Sequence, residues 1–239
     1  MFQGLRCDLN MFQIDDKHKI RLQTTLMQWY QKRQRKLPWR EGRDPYRIWL
    51  SEVMLQQTTV TAVVPYFERF VTELPTLEHL ATAPLATVLR LWAGLGYYSR
   101  ARNLHKAATL LHQSGFPRSF SELIAYPGFG PYTARAVTSI AFGEKVGVVD
   151  GNVIRVFSRL FGWREPWWTS LAKQEFQKRA DAIANHPHPE LLNQAWMELG
   201  ATVCTPQSPH CPHCPLSDGC YALAEQAIAQ LPLQKPRRE

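Results

Sequence analysis

Pro127-Gly128-Phe129-Gly130-Pro131-Tyr132-Thr133-Ala134 is the stretch on which the fold turns. It lies between a helical pattern ending near Tyr126 and another that opens at Pro131 and stops at Gly143. Proline at a helix start and glycine just past its end is the expected asymmetry: the first turn has no use for the N–H proline lacks, and glycine turns left-handed at little cost. Two glycines around one apolar residue permit a tight hairpin, with Phe129 tucked between the helices. The N–H groups left at the helix N-terminus can hold an anion. This is the form of a helix-hairpin-helix element, in which the backbone around Gly128 and Gly130 grips a DNA phosphate without reading sequence. An ordinary helix–helix turn has the same glycines, so what separates the two readings lies elsewhere in the chain.

On both sides of this loop the periodicity is helical. Segments 15–35, 44–58, 59–72, 84–95, 99–114 and 131–142 place apolar residues three and four apart, with Pro or Gly at the joints. Further helices are expected over 153–161, behind Asp150-Gly151-Asn152, and over about 170–184 and 190–201. The apolar run 146–149 is too short to carry a sheet, so the fold class is all-α. Trp49, Trp92 and Trp196 fall on apolar stripes and belong to the core. The tail 234–239 reads as a frayed basic end.

With 239 residues, 45% of them hydrophobic, the chain can bury one large core or two small ones. Its 28 basic against 20 acidic residues give a net charge of +8. That excess favours a polyanionic partner, nucleic acid before a membrane surface, and tips the hairpin toward DNA. No apolar run reaches the roughly 18 residues a bilayer span needs, and the first residues lack the apolar stretch of a signal peptide. Free cysteines without an export signal point to the cytoplasm.

Four of the five cysteines, Cys204, Cys211, Cys214 and Cys220, form a C-x6-C-x2-C-x5-C array. Four thiols this close suit a soft metal centre better than disulfides. Structural zinc sites usually show two short cysteine pairs, whereas only Cys211 and Cys214 are paired here. A cubane iron–sulfur cluster suits the spacing at least as well as zinc.

Two carboxylates stand out. Glu52 is the odd residue in Ile48-Trp49-Leu50-Ser51-Glu52-Val53-Met54-Leu55, and its helical neighbours would be Ile48, Trp49, Leu55 and Gln56. A carboxyl stripped of water in this way holds its proton more firmly, as a general acid must. The plain alternative is a polar helix face passing through Glu52. Asp150, in Val-Val-Asp-Gly-Asn-Val, is placed to cap the next helix. A charged Asp and a protonated Glu form the pair used for glycosidic cleavage, although sequence does not bring them together.

Taken with these features, Leu37-Pro38-Trp39-Arg40, Trp49-Leu50-Ser51-Glu52-Val53-Met54-Leu55-Gln56-Gln57-Thr58 and Leu91-Trp92-Ala93-Gly94-Leu95-Gly96-Tyr97-Tyr98-Ser99-Arg100-Ala101-Arg102-Asn103-Leu104 make the chain resemble the MutY-type adenine DNA glycosylases of the endonuclease III superfamily. The likeness runs from about residue 20 to 222. It implies a helix-hairpin-helix DNA glycosylase fold in two parts, with DNA in the cleft between them: a six-helix barrel over 38–147, and a [4Fe–4S] domain made of 1–37 with 148–239. The family excises adenine opposite 8-oxoguanine or guanine from double-stranded DNA after flipping it out. By position, Glu52 protonates adenine N7, Asp150 stabilises the oxocarbenium ion, and Tyr132 and Asn152 position Asp150 and the water. Arg40 contacts the flipped base. Gln56, Gln57 and Tyr97 join the DNA contacts, Gln57 and Tyr97 entering the stack beside the orphaned base. Cys204, Cys211, Cys214 and Cys220 hold the cluster. A monomeric, bacterial, nucleoid-associated enzyme is expected.

Bifunctional superfamily members carry a lysine where Tyr132 stands, so the resemblance implies a monofunctional glycosylase. Two other readings remain open: a thymine or uracil mismatch glycosylase of the same superfamily, and a non-catalytic iron–sulfur DNA binder that kept the scaffold. Full MutY proteins continue into a Nudix-like domain that helps recognise 8-oxoguanine. Without it, excision is expected to persist while preference for 8-oxoguanine over guanine weakens.

Overall fold

The structure, a computed structural model, describes residues 15–236; the first residues of the chain and the end of the basic tail lie outside it. Every regular element among the described residues is helical. In chain order these are α1 (Asp16–Arg33), α2 (Pro45–Leu55), α3 (Val60–Glu73), α4 (Leu77–Thr82), α5 (Leu85–Trp92), α6 (Ser99–Ser114), α7 (Phe120–Leu123), α8 (Pro131–Phe142), α9 (Gly151–Phe161), α10 (Ser170–Ala184), α11 (Pro189–Thr202) and α12 (Tyr221–Ala224). Short 3-10 turns cover Pro38–Arg40, Cys211–His213 and Ser217–Gly219.

The starts follow capping chemistry. Asp15, Asp44, Thr59, Thr76 and Thr169 each accept a hydrogen bond from an N–H in the first turn of the helix that follows. Pro45, Pro131 and Pro189 occupy first helical positions. Gly143 and Gly162 end α8 and α9 in the left-handed conformation.

The chain forms two compact units. One is the continuous stretch Arg35–Val146. It holds α2 to α8, seven helices where the periodicity led us to expect five. The surplus comes from α4 and α7, which at six and four residues are too short to display a helical period. Trp49, Leu50, Met54, Phe67, Phe70, Leu80, Leu91 and Trp92 fill its core. Among the described residues, the other unit joins 15–34 to 147–236. Leu26 and Tyr30 of α1 pack there with Val153, Phe157, Phe176, Trp196 and Leu199. Two side chains of α1 fix its seat: Gln23 Nε2 donates to the Ile183 carbonyl (2.7 Å) and Tyr30 Oη to Gln194 Oε1 (3.2 Å). No described helix is long and apolar enough to cross a membrane.

Candidate active site and cysteine cluster

In the Arg35–Val146 unit, the hairpin follows the short helix α7, which ends at Leu123 rather than near Tyr126. Bonds from the Tyr126 N–H to the Leu123 carbonyl and from the Phe129 N–H to the Tyr126 carbonyl carry the chain round. Only Gly128 takes a positive φ (79°). Gly130 is extended and serves as N-cap of α8. Phe129 is buried and stacks on Trp49 of α2, ring centroids 5.0 Å apart and nearly parallel. A side chain at 128 would meet Asn103 Cβ at 2.9 Å, so α6 packs directly against the turn. The loop is thus fixed to the helix that carries Glu52.

Glu52 is only 7% exposed on α2. The Tyr132 hydroxyl, at the start of α8, donates to its Oε2 at 2.7 Å. Gln56 Nε2 donates to Thr133 Oγ1 (3.2 Å), a second tie between the end of α2 and α8. Burial with a donor aimed at one oxygen holds the carboxyl in a fixed orientation. Arg40, at the end of the Pro38–Arg40 turn, donates to the Arg35 carbonyl.

The sequence pattern extends α2 through Thr58, but the helix stops at Leu55 because Gln57 turns left-handed (φ 61°). Tyr97 does the same in the α5–α6 turn (φ 47°) and is 66% exposed. Such backbone costs roughly 1–2 kcal/mol for a residue with a Cβ. Gln57, too, is exposed.

Asp150 lies in the other unit and does cap α9. Its Oδ1 accepts from the Val153 N–H at 2.8 Å and its Oδ2 from Asn152 Nδ2 at 2.7 Å. Burial pushes its pKa above the ordinary carboxylate value, against the hydrogen bonds and the Arg155 charge that pull the other way. The sequence reading of a carboxylate held charged therefore meets a desolvation cost. Arg155 runs on from this pair: Nη2 donates to Asn152 Oδ1 and to the Gly200 carbonyl (both 2.8 Å), and Nε to the Cys204 carbonyl (2.7 Å). Gly200 has no room for a side chain, since a Cβ there would lie 2.5 Å from Asn152 Cβ.

Cys204, Cys211, Cys214 and Cys220 are unpaired by disulfides and line one small apolar cavity together with Arg159, Val203, Leu223 and Ile228. Among the described residues, no three His, Cys, Asp or Glu side chains come together as ligands of a single metal ion. Burial raises the Cys214 thiol to about 11 and moves Cys220 the same way; a bound cation would offset that cost of ionising them. Arg159 is 4% exposed. Its Nη1 donates toward Cys204 Sγ (3.4 Å) and to the Thr205 carbonyl (2.7 Å), and Nη2 to the Pro206 carbonyl (3.0 Å). A fixed cation against sulfur suits a centre built from several thiolates.

A helical fold in two units, one with a hairpin fixed to the helix of a buried Glu, the other with a capped Asp and four clustered thiols, is that of the base-excision DNA repair proteins. The chain belongs to the HhH-GPD superfamily of base excision DNA repair proteins, whose family model matches residues 50–182. It is 43% identical over 212 residues to the human adenine DNA glycosylase, covering 83% of this chain and 38% of that protein. To the adenine DNA glycosylase of Buchnera aphidicola subsp. Baizongia pistaciae it is 36% identical, covering 90% and 62%. The chain thus spans between about two fifths and three fifths of these relatives. Among solved structures it is similar to a thermostable thymine-DNA glycosylase (TM-score 0.78, 27% identity, 88% of this chain and 98% of that one). It is similar also to endonuclease III in a non-covalent DNA complex (TM-score 0.70, 27% identity, 87% and 97%).

Arg155, Arg159 and Gly200 were not legible as candidate site residues, because each meets groups remote in sequence and leaves no local pattern.

Proposed function

We propose that this chain is the catalytic part of a monofunctional adenine DNA glycosylase acting on adenine opposite 8-oxoguanine or guanine in duplex DNA. The observation that carries the reading is the buried Glu52 carboxyl held by the Tyr132 hydroxyl at the hairpin helix (2.7 Å). Adenine is a poor leaving group unless protonated, so its departure needs an acid shielded from water and fixed in place. Glu52 gives its proton to N7 of the flipped base. The C1′–N9 bond then breaks, leaving neutral adenine and a cationic sugar. Asp150 stabilises that cation at C1′, and Asn152 holds the Asp150 oxygen. Water adds its oxygen to C1′ and loses a proton, which balances the hydrolysis. No lysine lies in the hairpin to divert it to a Schiff base.

The four cysteines fit a [4Fe–4S] cluster: four thiols, none in a disulfide, around one small apolar cavity, with Arg159 against the Cys204 sulfur. When bound, the cluster supplies iron–thiolate bonds that staple the loop 204–220, and no electron to a hydrolysis that needs none.

A thymine mismatch glycosylase is the second reading, favoured by the likeness to the thermostable thymine-DNA glycosylase. Single-turnover base release from duplexes holding A opposite 8-oxoguanine, A opposite G and T opposite G separates the two. Adenine release abolished by Glu52→Gln and by Asp150→Asn is the expected result. Thymine release, or borohydride trapping of the strand, sinks the proposal.

A further inference from the structure

Arg100, on the first turn of α6, is half-buried and reaches two turns of chain at once. Its Nη1 donates to the carbonyls of Val53 (2.8 Å), Met54 (3.2 Å) and Gln56, and its Nη2 to those of Leu95 (3.1 Å) and Gly96 (3.4 Å). The first group lies at the C-terminus of α2, where the last carbonyls lack helical partners and the helix dipole is negative. The second group is the turn leading into Tyr97. The guanidinium also lies over the rings of Trp92 (5.4 Å) and Tyr97 (5.5 Å). Gln57 and Tyr97 follow directly on these carbonyls, both exposed and both left-handed. Neither is glycine, so local preference does not hold them there; a planar five-donor fork bonded to both turns does.

We propose that Arg100 is a positioning residue that pre-sets Gln57 and Tyr97 as one rigid DNA-penetrating element. This rests on the reading above that these two side chains enter the base stack. Its chemistry favours Arg over Lys, because an ammonium cannot span both sets of carbonyls. The element is then ready before DNA arrives, and opening the duplex is not slowed by ordering two turns.

The test is a double-mutant cycle on the full chain, with Arg100→Lys, Tyr97→Ala and the pair. Single-turnover adenine release is measured from a duplex with paired flanks and from one with mismatched flanks. We expect Arg100→Lys to slow release from the paired duplex roughly tenfold or more. The loss should shrink to under about threefold where mismatched flanks have already weakened the stack. The pair should lose less than the two single losses combined, since Arg100 acts in part through Tyr97 and in part through Gln57. In free protein carrying 3-fluorotyrosine, the fluorine resonance of Tyr97 should broaden or divide in Arg100→Lys. Additive losses, equal losses on both duplexes, or an unchanged resonance overturn the role of Arg100. Unaltered release by Tyr97→Ala instead sinks the underlying DNA-contact reading. If Arg100→Lys does not fold, Arg100→Gln takes its place, and failure of both to fold assigns Arg100 to the core and ends the proposal.

Discussion

Replacing Gly200 with alanine is the sharpest probe of how Asp150 is held. Gly200 sits on α11 where α9 begins, and the added Cβ would lie 2.5 Å from Asn152 Cβ and 3.0 Å from its Cα and carbonyl oxygen. Ordinary carbon contacts need about 3.5–4 Å, so the start of α9 must retreat from α11 by roughly 1 Å. Backbone and a Cβ cannot rotate away as a long side chain can. Overpacking of this kind costs about 1–3 kcal/mol, which for a chain of this size lowers Tm by roughly 4–8 °C for a mid-range 2 kcal/mol. The same retreat moves Asn152 and strains the 2.8 Å bond that Arg155 makes to the Gly200 carbonyl. A misplacement of that size at a reacting centre costs about a hundredfold in rate. Single-turnover adenine release and thermal melting are the assays. Gly151→Ala is the control, because a Cβ at 151, adjacent to Asp150, meets nothing within 4 Å; it should melt no lower than the parent. A Gly200→Ala protein with parental Tm and rate would refute the reasoning.

Asp150→Asn tests the charge at that site. Because burial raises the folded-state pKa of Asp150, its ionised form costs stability above that raised value, and the cost vanishes below the ordinary carboxylate range. The Tm difference between Asn variant and parent should therefore move in favour of the variant as pH rises from the carboxylate range toward neutrality; a flat or opposite trend contradicts the assignment. Tyr132→Phe removes the 2.7 Å donor to Glu52 and should cost about 1–3 kcal/mol of stability together with slower base release. Unchanged melting and unchanged release would deny that this bond holds the carboxyl.

Most of the helices were legible because their signals are local. The stretch from Pro131 to Phe142 is bounded as its proline and glycine require, and α6 and α10 run as their apolar spacing foretold. Periodicity failed at α2, where nothing between Leu55 and Thr58 breaks a helix by composition. The cue was Thr59, which caps α3 and so needs a turn before it. Among the candidate site residues, Glu52 and Asp150 were readable as odd groups in their surroundings, and the cysteines as a spacing. The arginines were not. On a helical wheel Arg100 and Arg155 look like solvated charge, and only the fold brings carbonyls from 44 to 49 residues away to them. Gly200 was hidden for a related reason, since its meaning is a close approach between two helices.

The division of the chain has a consequence for how the protein is born. The Arg35–Val146 unit is one uninterrupted segment, but the other unit needs both sides of it. Gln23 of α1 waits for a carbonyl 160 residues further on. At translation rates of about 5–20 residues per second, that wait is roughly 8–30 s. During it Leu26 and Tyr30, fully buried once folding is done, have nothing to pack on. The segment bearing Glu52 can mature on the ribosome, while the seat of Asp150 is finished only after α11 and the cysteine loop emerge. An arrested nascent chain would therefore own the hairpin unit before the seat of Asp150 exists.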